Sequence, residues 1–182
     1  MALIDIGVAA INRAAALTTN YTCANLGNPA NDTGTLTSVE IWLYTATASN
    51  GTIATLSGSG TTWTSRDRSD IGAISAGSKQ TFSGLAIDVE ADDIIGYFGS
   101  GRMEVATSGG SGVIRTTLDR FDGNPQTYSS GAAWVISLYG TGETASVTSI
   151  KLVMGVPIAN VKTINGVPIA DVKSFLGVSN VD

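Results

Sequence analysis

The end of this chain is a short sequence written twice and begun a third time. Gly155-Val156-Pro157-Ile158-Ala159-Asn160-Val161-Lys162-Thr163-Ile164-Asn165 runs directly into Gly166-Val167-Pro168-Ile169-Ala170-Asp171-Val172-Lys173-Ser174-Phe175-Leu176, and a third copy opens at Gly177-Val178. The period is 11 residues, and apolar residues recur two or three positions apart along it. A repeat this short buries little surface alone, so it needs stacked neighbours or partner chains. The tail points to assembly before it points to chemistry.

The repeat narrows its own conformations. An 11-residue period is compatible with a right-handed helical coiled coil. However, a Gly begins each copy, and the two complete copies carry Pro157 and Pro168 at the same offset. In a helix interior Pro costs roughly 3 kcal/mol and Gly about 1 kcal/mol. Pro also pushes Val156 and Val167 toward extended backbone, and Asn165-Gly166 is a turn signal between apolar runs. The reading is short extended segments joined by turns. Four arrangements satisfy it: a strand spiral shared among chains, hairpins laid on a neighbour, a single helical turn after each Pro, or the last strands of one sandwich.

The 182 residues suit one domain plus an appendage. Hydrophobic residues make up 43% and charged residues only 14%, with 22 Gly, which fits short strands and many tight turns. The net charge of −5 and the absence of a basic run disfavour a nucleic-acid partner. A single cysteine, Cys23, excludes an internal disulfide and reads as a small buried apolar residue. With no histidine in the chain, Cys23 lacks the usual partner of a nucleophilic thiol. The opening Met1-Ala2-Leu3-Ile4-Asp5-Ile6-Gly7 has no basic region and carries an acid, unlike a signal peptide. No run approaches the ~20 apolar residues of a membrane span. The expectation is folding in a cytoplasm, with the Asn20 and Asn31 sequons unused.

Along the body, Val39, Ile41 and Leu43 alternate with Glu40, Trp42 and Tyr44, a period-2 strand. Thr52–Leu56, Phe82–Val89, Ile94–Phe98, Arg102–Ala106, Val113–Leu118 and Ala132–Tyr139 read as further strands, and Ile4–Ile11 as an opening one. Thr61–Arg68 reads as an edge strand or loop, Asp119–Ser130 as a polar loop, and Gly140–Ser146 as a linker. Ala9–Leu17 is the one weak helix candidate. The expected fold is all-β: an antiparallel jelly-roll-like β-sandwich over 1–145, with an 11-residue-repeat extension over 146–182.

Chemistry finds few footholds. Asp88, Glu90, Asp92 and Asp93 sit beside a turn and read as a solvated face rather than a glycosidase pair. Asp119-Arg120-Phe121-Asp122-Gly123-Asn124 offers oxygen ligands but lacks the terminal bidentate acid of a calcium loop. Asp67 and Asp70 read as partners of Arg66 and Arg68. Gly109-Gly110-Ser111-Gly112 lacks the Lys and helix of a phosphate cradle. Aromatic rings on loops beside acids and amides suit sugar stacking, which nominates Trp63, Phe121, Asp122, Asn124 and Tyr128 for a glycan contact. No catalytic residue, metal site or cofactor is expected, and the chain does not read as an enzyme.

Three stretches resemble β-sandwich domains of tailed-phage virion proteins: Gly77-Ser78-Lys79-Gln80-Thr81-Phe82-Ser83-Gly84-Leu85, Ala91-Asp92-Asp93-Ile94-Ile95-Gly96-Tyr97-Phe98 and Ile136-Ser137-Leu138-Tyr139-Gly140-Thr141-Gly142. Ile164-Asn165-Gly166-Val167-Pro168-Ile169-Ala170 and Val172-Lys173-Ser174 are similar to repeats at the ends of such proteins. The resemblance implies a bacteriophage structural protein of the virion surface, a head-decoration, head-fibre or tail-appendage subunit, often a homotrimer. It implies other virion proteins as partners and synthesis in the host cytoplasm.

These readings give an ordered set of expectations. The first is a virion surface protein whose tail residues Val156, Ile158, Val161, Ile164, Val167, Ile169, Val172 and Phe175 bury between chains, with Lys162 and Lys173 keeping one side wet. The others are a glycan-binding module that attaches to a host surface, and a subunit of an extracellular filament that donates its tail as a strand.

Overall fold

Alternation along the chain sets the first strands. In Gly34–Trp42 the residues Leu36, Val39 and Ile41 turn inward while Ser38, Glu40 and Trp42 face outward, the half-buried pattern of a sheet with one wet face. The computed structural model describes residues 3–144 and six two-residue strands of the tail, 152–153, 156–157, 163–164, 167–168, 174–175 and 178–179. The body strands are β1 (Leu3–Val8), β2 (Ala15–Ala16), β3 (Tyr21–Asn25), β4 (Gly34–Trp42), β5 (Ala48–Ser59), β6 (Thr62–Ile74) and β7 (Lys79–Val89). They continue as β8 (Ile94–Gly99), β9 (Glu104–Ala106), β10 (Val113–Thr117), β11 (Gln126–Thr127), β12 (Ser129–Gly131), β13 (Val135–Ile136) and β14 (Leu138–Thr144).

The strands pair antiparallel into a four-stranded sheet ordered β1-β14-β4-β7 and a seven-stranded sheet ordered β11-β6-β5-β8-β3-β10-β12. A small sheet, β13-β9-β2, sits beside them. Eight strands form the frame: β1, β3, β4, β5, β6, β7, β8 and β14. Counted one to eight along the chain, they lie 1-8-3-6 in the first sheet and 5-4-7-2 within the second. This is the double Greek key of a jelly roll. The residues between β8 and β14 supply the extra strands that widen the second sheet.

The main core lies between the sheets. Ile4, Ile6, Leu36, Val39, Ile41 and Leu138 from the first sheet meet Cys23, Ile53, Ile95, Tyr97 and Val113 from the second. A second cluster joins Ala24, Ala54, Leu56 and Ile114 with Trp63, Phe121 and Tyr128. Cys23 and Ala24, Ile53 and Ala54, and Val113 and Ile114 are chain neighbours divided between the two clusters. Successive strand residues point to opposite faces, so the seven-stranded sheet is buried on both sides.

Several local expectations are corrected. Of the two readings of Thr61–Arg68, edge strand or loop, the strand holds from Thr62 on: these residues belong to the long strand β6, paired with β5 along its length and with β11 only at Thr62 and Trp63. Gly140–Thr144 is no linker but the second half of β14, held between β1 and β4. Ala132–Tyr139 breaks at Ala133, which has φ +58°, into a turn, β13 and the start of β14. Ala9–Leu17 contains no helix; its one regular element is β2.

The chain divides into two compact units, Met1–Thr144 and Ala145–Asp182. In the second, Leu152–Val153 pairs with Val156–Pro157, Thr163–Ile164 with Val167–Pro168, and Ser174–Phe175 with Val178–Ser179, all antiparallel.

Candidate functional site

Residues 119–128 form the loop that the sequence nominated for both calcium and sugar. They fold back over the outer face of the seven-stranded sheet. Arg68 Nη1 donates to the Phe121 carbonyl (2.9 Å) and to Asp119 Oδ2 (3.1 Å). The Gly123 amide donates to Ser65 Oγ (2.9 Å) and the Arg120 amide to Thr22 Oγ1 (3.2 Å). Gln126 and Thr127 pair with Trp63 and Thr62, which closes the loop as a strand.

That clamp decides the fate of the aromatic candidates. Trp63 is 7 % exposed, and Phe121 and Tyr128 are each 2 % exposed. All three rings pack into the second core cluster. Gly96 makes room for one of them: a Cβ there would lie 3.0 Å from Phe121 Cζ and 2.9 Å from Leu56 Cδ1. The Trp63 indole N–H donates to the Gly60 carbonyl (3.1 Å). The Tyr128 hydroxyl has no hydrogen-bond partner among the described residues, and burial pushes its pKa up to about 12. A sugar ring needs an open aromatic face, and these three faces are covered by protein. The structure therefore brings Trp63, Phe121 and Tyr128 together as core and leaves Asp122 and Asn124 at the surface.

The loop acids are engaged locally. Asp119 Oδ1 accepts from the Phe121 amide (3.0 Å), and Asp122 Oδ1 accepts from the Asn124 amide (3.0 Å). Gln126 Nε2 donates to both Asp122 oxygens (3.2 and 3.0 Å). The Asn124 amide foremost, helped by Gln126, holds the Asp122 carboxyl below its usual range. Among the described residues no three His, Cys, Asp or Glu side chains are grouped to hold a metal ion.

The acidic run after β7 is not simply a solvated face. Asp93 is 2 % exposed, and its carboxylate takes Arg66 Nε (2.6 Å), Arg66 Nη2 (3.1 Å) and the Glu90 amide (2.9 Å). Arg66 also meets Glu90 at 2.9 Å. Arg68 reaches Asp70 at 3.6 Å as well as Asp119. Cys23 is fully buried in the main core, and desolvation pushes its thiol up to about 12, the signature of a structural rather than reactive cysteine.

Sequence reasoning missed two polar constructions. The first is a buried knot under the segment after β1. The Arg13 amide donates to Glu104 Oε2 (2.9 Å), Arg13 Nε donates to Ser137 Oγ (2.8 Å), and the Ser137 hydroxyl donates to the Ile11 carbonyl. Glu104 and Ser137 are 2 % and 0 % exposed. The second is a pair of asparagines, Asn28 and Asn31, along the outer edge of β1. In the sequence both sit beside turn residues, Gly27 and Pro29 among them, and read as ordinary loop polarity.

Of the tail residues expected to assemble, Val156, Ile164, Val167 and Phe175 fall in the short strands. Ile158, Val161, Ile169 and Val172 lie outside the described residues, as do Lys162 and Lys173. The strand pairs place Val153 opposite Val156, Ile164 opposite Val167 and Phe175 opposite Val178. They recur at the 11-residue spacing of the sequence repeat.

No protein-family model, curated protein or solved structure matches this chain.

Proposed function

We propose that this chain is a structural subunit of a virion surface, a decoration, fibre or appendage protein, whose jelly-roll body is displayed while the repeat tail joins chains. The observation that carries the reading is the tail's threefold recurrence of two-residue antiparallel pairs. An isolated hairpin of this length is marginal in water. Three in a row, spaced by apolar residues, gain stability by stacking on further copies or on a neighbour. Apolar burial there contributes roughly 25 cal/mol per Å². A homotrimer is the favoured assembly, by resemblance to virion proteins of this kind. The burial of Trp63, Phe121 and Tyr128 ranks this reading above glycan binding through those rings.

The test is mass in solution by light scattering, on the full chain and on residues 1–149. A trimer or larger species that falls to a monomer on truncation supports tail-mediated assembly. A truncated body that keeps the full-length mass refutes it.

A further inference from the structure

A jelly roll leaves the outer edge of its first strand open, and an open edge is a template for pairing with another chain. In β1 the residues Leu3, Asp5 and Gly7 face away from β14. Their polar groups are taken by the segment 28–31. Asn31 accepts from the Asp5 amide through Oδ1 (2.8 Å) and donates from Nδ2 to the Leu3 carbonyl (3.1 Å). Asn28 accepts from the Gly7 amide through its carbonyl (2.8 Å) and donates from Nδ2 to the Gly7 carbonyl (3.0 Å). Its Nδ2 also donates to the Asp5 carboxylate. Two side-chain amides and the Asn28 main-chain carbonyl thus reproduce the pairing that a neighbouring strand would offer.

The segment cannot itself pass the edge on. Its far side is used by the turn after β7: the Ala30 amide donates to the Asp93 carbonyl (2.8 Å) and the Asp92 amide to the Ala30 carbonyl (2.9 Å). Pro29 has no N–H to offer. Asp93 is fixed in turn by Arg66. The other edge of this sheet is blunted differently. In β7 the Asp88 amide donates to Asp67 Oδ2 (2.8 Å), and the Asp88 carbonyl accepts from Thr55 Oγ1 (2.6 Å). The pairing of β7 with β4 also slips at a bulge beside Gly84, whose φ is +76°. In the other sheet β12 is three residues long, and β11 covers β6 only at Thr62 and Trp63.

We infer that the 28–31 segment is an edge guard, whose Asn31 and Asn28 occupy the β1 position that a second copy of this chain would otherwise pair with. The β1 edge is thereby closed to sheet-to-sheet association, which leaves assembly to some other surface. The inference stands on the body alone and does not depend on the tail.

Amide hydrogen exchange on the full wild-type chain tests the guard directly. The Asp5 and Gly7 amides should be protected within about tenfold of the Ile4 and Ile6 amides, which face β14. Exchange of Asp5 and Gly7 at the rate of a free strand edge would overturn the guard without any variant. The second arm is Asn31→Ala in the full chain, with light scattering over a concentration series. The expected result is faster Asp5 exchange with Ile4 and Ile6 unchanged, and a species about twice the wild-type mass at high concentration. Faster Asp5 exchange at unchanged mass over the whole series would overturn the claim that a second copy is what the guard excludes. Because the comparison is with the wild-type mass, whatever that is, failure here is distinct from failure of the tail reading.

Discussion

Arg66 grips Asp93 from the neighbouring sheet edge, Nε at 2.6 Å and Nη2 at 3.1 Å, with the carboxylate all but sealed from water. The pair holds more than itself. Asp93 also receives the Glu90 amide, and its carbonyl anchors Ala30. One ion pair therefore ties β6 to the turn before β8 and to the segment guarding β1.

Removing one partner of this pair should cost far more than losing a surface salt bridge. Arg66→Ala strands a buried carboxylate, with an expected loss of about 2–4 kcal/mol, tempered because the arginine side chain is 26 % exposed. Adding Asp93→Asn to that variant should recover part of the loss, because the uncompensated charge disappears. Urea unfolding of the two variants and the wild type checks the ordering. Equal stability of Arg66→Ala and the wild type would contradict a structural role for the pair.

The loop 119–128 should behave as core rather than as a binding loop. Phe121→Ala removes a ring from a covered cluster and should destabilise by about 3–5 kcal/mol. Gly96→Ala should cost about 1–3 kcal/mol, because its new methyl meets Phe121 and Leu56. In both variants the Gly123 amide, which donates to Ser65, should exchange faster than in the wild type. Thermal unfolding and amide exchange read the two effects separately.

Glu104 gives the protein a pH dependence of unusual sign. Burial raises its carboxyl above the usual 4.5, against the smaller opposing effects of the Arg13 amide and charge. Desolvation also lowers the Arg13 guanidinium. A raised acid binds its proton more tightly folded than unfolded. Its contribution to stability is full below the unfolded value and is lost as pH rises through the folded one. Glu104→Gln should remove that loss, so the variant gains on the wild type as pH rises from 4 toward neutrality. Denaturation midpoints at a series of pH values check the trend. A constant offset between the two proteins would show that the Glu104 charge carries no such cost.

Much of the frame was legible from pattern. Leu36, Val39, Ile41, Ile4, Ile6 and Leu138 announce inward positions by alternation, because the sheet they build is wet on its outer side. The other sheet was harder. Its strands carry apolar or small residues on both faces, as in Thr52-Ile53-Ala54-Thr55-Leu56, and period-2 reasoning cannot say what covers the second face. The cover is a segment rich in Asp, Arg, Asn and Gln, whose polar residues make the loop's own turns while Phe121 and Tyr128 go inward. The same blindness turned Asp93 into a solvated acid and left the edge role of Asn28 and Asn31 unread.

The sequence by itself determined the all-β class, the inward residues of the four-stranded sheet and the 11-residue recurrence at the end of the chain. These are local periodicities, and each is written within a dozen residues. The tertiary structure alone decided that both faces of the seven-stranded sheet are dry, which acid is buried against which arginine, and what closes the edge of β1. Those depend on contacts between residues far apart in the chain, such as Arg66 with Asp93 and Ser65 with Gly123. Partners of that kind are chosen by the order of strands in the sheets, and no local pattern encodes that order.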